Sequence, residues 1–165
     1  MRISDPFKLI VSIVVAEAAG VIGAFFTEPS IAGWYAALVK PALVPPGYVF
    51  GPVWAGLFVL MGIALFFMWR KHSNILENVR MLWIWRWGIA LFFIQLILNT
   101  LWSVIFFGFR NPGAAFAEII VLWLAILATS ILFYKISKPA AWLLVPYILW
   151  VSFAVYLNYA IWMLN

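Results

Sequence analysis

Apolar positions in this sequence gather into five runs, each near the 20 or so residues that a helix needs to cross a bilayer. They cover residues 7–26, 50–69, 81–109, 114–134 and 140–164. Polar positions fall between the runs and do not alternate within them. Arg70-Lys71 ends the second run, and the uncharged part of the third starts at Trp87. Asn111-Pro112-Gly113 opens the fourth and Lys138-Pro139 the fifth. Long unbroken runs argue against an outer-membrane-type barrel, whose strands are short and alternating. The pattern predicts an all-α membrane protein, a five-helix bundle forming one domain over residues 1–165. The short connections after runs two, three and four predict that consecutive helices are antiparallel neighbours.

One further stretch is apolar enough to compete. Residues 34–54 read WYAALVKPALVPPGYVFGPVW, with one charge, Lys40. Pro41, Pro45 and Pro46 lie within six residues, and each interior proline costs a helix about 3 kcal/mol. In lipid the freed carbonyls would find no water. Residues 27–49 are therefore expected to form a long extramembrane loop, with a short helix around 30–39. Pro52 falls in the first turn of the second helix, where proline is tolerated.

Charge adds an orientation. With five spans, Arg2, Lys8, Arg70, Lys71, Arg80, Arg86, Lys135 and Lys138 share one side, and Lys40 and Arg110 the other. The positive-inside rule then predicts a cytoplasmic N-terminus, with the proline-rich loop and the C-terminus outside. Basic residues at the ends of spans are a topology signal, and no nucleic-acid partner is expected. Arg2 and Lys8 ahead of an apolar stretch, with Ala16-Glu17-Ala18, also have the form of a cleaved leader. The run continues to Phe26, however, and Ala16, Gly20 and Ala24 make a small-residue stripe suited to helix packing. A retained first span is the reading carried forward.

Composition narrows the chemistry. The chain is 68% hydrophobic and 9% charged, more apolar surface than a soluble domain of this size can hide. There is no Cys and one His, His72, so thiolate chemistry, a metal site and a nucleophile–base pair have no support. Polar groups inside spans are costly and so informative. Gln95, Asn99 and Ser103 lie four apart on one face of the third span, flanked by Trp102 and Phe106. Asn158 lies in the fifth span, where Tyr147, Trp150, Ala154 and Asn158 recur at helical spacing and Pro146 predicts a bend. Interhelical hydrogen bonding and a pocket wall both fit these residues. Glu17, mid-span, fits a packed carboxyl or a proton-relay group; Glu118 reads as an acidic residue near a positive helix end. Of the eleven tryptophans, Trp69, Trp83, Trp85, Trp87 and Trp162 fit an interfacial belt. Trp34, Trp54, Trp102 and Trp150 fit it less well, and indoles there suit a cavity for a flat apolar ligand.

Three stretches, in this order, carry a resemblance: 34–54, LNTLWSVIFFG at 98–108 and WLLVPYILWVSFAVYLN at 142–158. Together they resemble the loop-one, third-helix and fifth-helix motifs of the TspO/MBR family, the tryptophan-rich sensory and translocator proteins. The resemblance implies five transmembrane helices, a homodimer, contact with membrane lipid, and a porphyrin or other hydrophobic small molecule bound between the helices. No cofactor is implied. It implies a ligand site of Tyr35, Trp54, Asn99, Trp102, Ser103, Trp150 and Ala154, under a lid containing Trp34, Lys40, Pro41, Pro45 and Pro46. In that lid, Lys40 is expected to pair with a porphyrin carboxylate. It further implies that Trp54 and Trp150 match the tryptophans linked, in some bacterial members, to light-dependent porphyrin breakdown. The sterol motif of animal members is incomplete, because no Lys or Arg follows Tyr156 or Tyr159.

Overall fold

A computed structural model describes residues 4–165; Arg2, counted above in the charge bias, lies outside the described residues. Helix α1 (Asp5–Ser30) continues through a wide π-type turn, Ile31–Tyr35. Next come α2 (Gly47–Lys71) and α3 (Val79–Ser103), the latter ending in a second π-type turn, Val104–Gly108. α4 (Pro112–Ile136), α5 (Lys138–Leu143) and α6 (Val145–Leu164) complete the chain. These make five helical stretches long and apolar enough to cross a membrane, α5 and α6 together forming the fifth.

Local chemistry sets the helix starts. Asn78 caps α3 by accepting the Met81 N–H at 3.0 Å, and Asn111 caps α4 by accepting the Ala114 N–H at 3.0 Å. Each takes a backbone donor that the first turn leaves free. Pro112 follows at the first helical position, where its missing N–H costs nothing. Between α3 and α4 the chain reverses over 109–111, with Arg110 in the left-handed region at φ 52, a conformation costing a non-glycine residue about 1–2 kcal/mol. The bend expected at Pro146 is found as a break. Proline cannot bond back to Trp142, α5 closes with a tight bond from Leu144 N–H to Ala141 O at 3.1 Å, and α6 restarts at Val145.

The first connection differs from expectation. Residues 27–37 extend α1, so the irregular link covers only 38–46. The long first loop is thus a short one, and Trp34 and Tyr35 stand on helix. Glu28-Pro29 interrupts the hydropathy but not the helix: Pro29 lies inside α1. The wide turn at Ile31–Tyr35 follows it, and the Ser30 hydroxyl donates to the Phe107 carbonyl at 2.9 Å, tying this end of α1 to α3. The helix through Tyr35 has 31 residues, about 46 Å at 1.5 Å each. That exceeds a hydrocarbon core of about 30 Å, so one or both ends overhang it. The prolines do bar helix where they cluster, at Pro41, Pro45 and Pro46.

Helix order around the bundle also departs from chain order. α1 packs between α2 and α3, α3 lies on α4, α4 lies on α5 and α6, and α2 closes the ring against α5. α2 and α3, joined by a short link, meet mainly at the basic end, where the Trp85 indole N–H donates to the Met68 carbonyl at 2.8 Å and the His72 ring lies 4.4 Å from Trp85. The reason is steric. Gly62 presses on the backbone of Ile13, and Gly20 faces the Phe58 ring so closely that a Cβ would overlap it. These contacts, with buried Ala16 and Ala19, seat α1 where α3 would otherwise lie. The small-residue stripe thus serves close packing.

Candidate ligand site in the bundle interior

At the end of the bundle away from the basic termini, α6 meets α2 and α3 through side chains. On α2, the Trp54 ring stacks on Phe58 at 5.8 Å and stands edge-on to Tyr147 of α6 at 6.3 Å. One turn earlier Phe50 meets Trp150 at 5.9 Å. Fully buried Tyr147 accepts a hydrogen bond on its hydroxyl from the Asn99 amide at 3.0 Å. A turn further along α3, the Trp102 indole N–H donates to Asn158 Oδ1 at 2.9 Å. The amide of Asn158 in turn donates to the Pro112 carbonyl at 2.7 Å, joining α3, α4 and α6.

The stripe Gln95, Asn99 and Ser103 is one face of α3, and it meets three helices. Gln95 touches Met61 Sδ of α2 at 3.8 Å, and Asn99 bonds Tyr147. The Ser103 hydroxyl lies 3.2 Å from where a Cβ on Gly23 of α1 would be. The predicted residues therefore fall into two groups. Trp54, Asn99, Trp150 and Ala154 belong to or border the main core. Trp34 and Tyr35 pack on Phe106 and Phe107 in a second cluster, and Trp102 borders both. Its ring stacks on Phe106 at 5.0 Å.

Of the residues named for a lid, Pro41, Pro45, Pro46 and Lys40 lie in the 38–46 link. The Lys40 ammonium donates to the Ala36 and Leu38 carbonyls at 3.1 and 3.2 Å and lies 4.9 Å over the Tyr35 ring. It thus caps the extension of α1, where carbonyls lack partners. The link is clasped from the other end of the chain. Asn165 accepts from the Val39 N–H at 3.0 Å and donates to the Val39 carbonyl at 3.1 Å.

Two open cavities mark the surface. One, of about 340 Å³, lies between Trp34, Arg110, Gly113, Trp162 and Asn165; the other, of about 330 Å³, lies at the opposite end between Tyr134, Lys135, Ala141 and Trp142. Neither is lined by Trp54, Asn99 or Trp150. Between α2, α3 and α6 the Trp54 ring packs on Phe58 and Tyr147, and Phe50 on Trp150, so a guest seated between these rings must part them.

Glu118, read from the sequence as an acidic residue near a helix start, is placed differently. It sits at the seventh position of α4, beyond the reach of the helix end, in the buried stripe Ala115, Glu118, Ile119, Leu122 and Ile126. Neither of its carboxyl oxygens has a hydrogen-bond partner among the described residues. Its phase with Ile119 and Leu122 is the signal that reveals it. Glu17 lies outside the buried stripe of α1, which is Ser12, Ala16, Ala19 and Gly23, and is half-buried on its flank.

Comparison with known proteins agrees with this architecture. The sequence pattern of the TspO/MBR family matches residues 12–163. The chain is 42% identical to the tryptophan-rich protein TspO of Archaeoglobus fulgidus over 96% of its own length and 97% of that protein. It is 44% identical to the protein of the same name from Chlorobaculum tepidum, over 90% and 89%. It is 36% identical to the translocator protein of Homo sapiens, over 86% and 80%. With five membrane-length helices and these relatives, this chain is an integral, multi-pass membrane protein and belongs to the TspO/MBR family.

Proposed function

We propose that this protein is a membrane receptor that takes porphyrins and similar flat hydrophobic molecules into the space between α2, α3 and α6. One observation carries the reading. α6 is joined to α2 and α3 by rings and amides (Trp54, Tyr147, Trp150, Asn99, Trp102) and not by close backbone packing. Rings separate at less cost than interlocked helices, and indoles offer both a flat face and an N–H donor. The names of the relatives, tryptophan-rich sensory protein and translocator protein, agree with a sensing or carrying role. In this reading Trp34 and Tyr35 form the outer wall, the 38–46 link covers the mouth, and the charge bias puts that end outside the cell. The working unit is a homodimer in contact with lipid.

Protoporphyrin titrated into the purified protein in detergent tests this. The reading expects saturable quenching of tryptophan fluorescence at one porphyrin per chain. Quenching that rises linearly with porphyrin, as partition into micelles alone would give, refutes it. A second reading, light-dependent porphyrin breakdown, is favoured by the proximity of two oxidisable rings, Trp54 and Tyr147. Illumination separates the two. Loss of porphyrin absorbance beyond that in empty micelles, abolished by Trp54→Phe, supports chemistry; loss equal to that in micelles leaves binding alone.

A further inference from the structure

We propose that Arg110 holds the phosphate of an anionic phospholipid in the cavity between Trp34 and Trp162, a site apart from the space between α2, α3 and α6 and independent of the reading above.

Arg110 is out of place in two respects. It stands in the turn from α3 to α4 with φ 52, where Phe109 N–H bonds Val104 O at 2.8 Å and Asn111 N–H bonds Ile105 O at 3.2 Å. Glycine adopts such a left-handed helix end without cost, and arginine does not. It also stands at the end of the bundle that is poor in cations, since most of the described Lys and Arg residues lie at the other. Lys40, at the same end, spends its ammonium on the Ala36 and Leu38 carbonyls. The Arg110 guanidinium has no such partner among the described residues, whose two ion pairs both use Asp5 at the opposite end. A backbone position that favours glycine thus carries an arginine with its charge uncommitted, and strain of this kind marks functional sites.

The surroundings of Arg110 suit a phosphate. The cavity beside it, of about 340 Å³, is lined by Trp34, Asn111, Gly113, Trp162 and Asn165. The side-chain oxygens there are taken, Asn111 Oδ1 by the Ala114 N–H and Asn165 Oδ1 by the Val39 N–H. The indole N–H groups of Trp34 and Trp162 donate to nothing among the described residues, unlike those of Trp85, Trp102 and Trp123. Gly113 gives the Trp162 ring its place, since a Cβ there would lie 2.8 Å from the indole nitrogen. A guanidinium fork with further N–H donors beside it matches the oxygens of a phosphate.

The adjoining surface assigns that phosphate to a lipid. Trp162 stacks on Phe116 at 5.7 Å, and Tyr159 lies 5.3 Å from Phe116. Trp162, Tyr159 and Ile120 are exposed, so an apolar strip leads from the cavity down the α4–α6 face into the span. A lipid phosphate at Arg110 lays its acyl chains on this strip, with the indoles at headgroup level, where tryptophan settles. A soluble phosphate would leave the strip bare. An anionic headgroup is preferred, because the choline of phosphatidylcholine already offsets its own phosphate.

Native mass spectrometry of delipidated protein in detergent, titrated with phosphatidylglycerol and separately with phosphatidylcholine, tests this. Lipid held at the basic end is common to all variants, so counts per chain are compared at equal lipid. Arg110→Gly should retain one phosphatidylglycerol fewer than wild type, with phosphatidylcholine adducts unchanged, and Arg110→Lys, which keeps the charge, should recover it. Arg110→Gly should melt no lower than wild type, because glycine relieves the left-handed residue, so a lost lipid is not a lost fold. Equal phosphatidylglycerol counts in wild type and Arg110→Gly overturn the proposal. So does displacement of that lipid by excess glycerol 3-phosphate, which would make the ligand a soluble phosphate. Protoporphyrin affinity should be the same in wild type and Arg110→Gly; a fall in it with no loss of lipid would assign Arg110 to the porphyrin and overturn the lipid site.

Discussion

Replacing Asn158 by Leu should unfasten the outer half of the bundle. The residue is 1% exposed. It accepts from the Trp102 indole at 2.9 Å and donates to the Pro112 carbonyl at 2.7 Å. Leu is close to Asn in size, so packing is preserved while both bonds are lost. The Pro112 carbonyl keeps its place in the first turn of α4, so the larger loss falls on the indole N–H. An interhelical hydrogen bond in a membrane protein contributes about 0.6 kcal/mol on average and up to about 1.7, and a buried donor left without a partner adds its desolvation cost. The two bonds together amount to about 2 kcal/mol. For a chain of this size that is a fall in Tm of about 4–8 °C, read by circular dichroism in detergent. Trp102→Phe and the double variant complete a cycle that isolates the Trp102–Asn158 bond. A coupling of about 1 kcal/mol is expected. A coupling within about 0.3 kcal/mol of zero, or a Tm for Asn158→Leu equal to wild type, would refute the assignment of Asn158 as the fastener.

Gly62→Ala puts a Cβ 2.5 Å from Ile13 Cα and 2.9 Å from its nitrogen. Backbone cannot swing aside, so α1 and α2 must separate and the cost is about 1–3 kcal/mol. Gly56→Ala on the same helix meets nothing within 4 Å and should stabilise by about 0.5–1 kcal/mol; equal melting of the two variants would contradict the packing described. Asn165→Ala releases the clasp on Val39, and exchange of the Val39 amide with deuterium should quicken about tenfold while Tm stays within about 2 °C. An unchanged exchange rate would mean that the link is held by something else.

The spans were legible because each needs only local information: 20 apolar residues, a charged pair at Arg70-Lys71, an Asn-Pro start at Asn111. The same is true of the break at Pro146. The extension of α1 through Pro29 was not. Whether an interior proline ends a helix depends on what takes up the strain, here a wide turn and the bond from Ser30 to Phe107, a residue 77 positions away. The separation of α2 from α3 was hidden for a similar reason, since the fit of Gly62 on Ile13 and Gly20 on Phe58 is a property of pairs. At the site, helical spacing found Gln95, Asn99 and Ser103 as one stripe but not that each faces a different helix. Glu118 was misread because proximity to a helix start in sequence stood in for phase, and phase decides which way a side chain points.

The most direct test of the interior site is protoporphyrin affinity in Trp54→Phe/Trp150→Phe, measured beside Trp83→Phe/Trp87→Phe. The second pair is a control matched in chemistry: those indoles are exposed on α3, 60% and 49%, away from the space between α2, α3 and α6. Absorbance of the bound porphyrin reports affinity independently of which indoles remain. Each replacement keeps a ring but gives up the indole N–H donor and part of the ring face, about 1 kcal/mol per position, which predicts binding weaker by about thirtyfold in the first variant and unchanged in the second. Equal affinity in the two variants would place the porphyrin elsewhere and contradict the site.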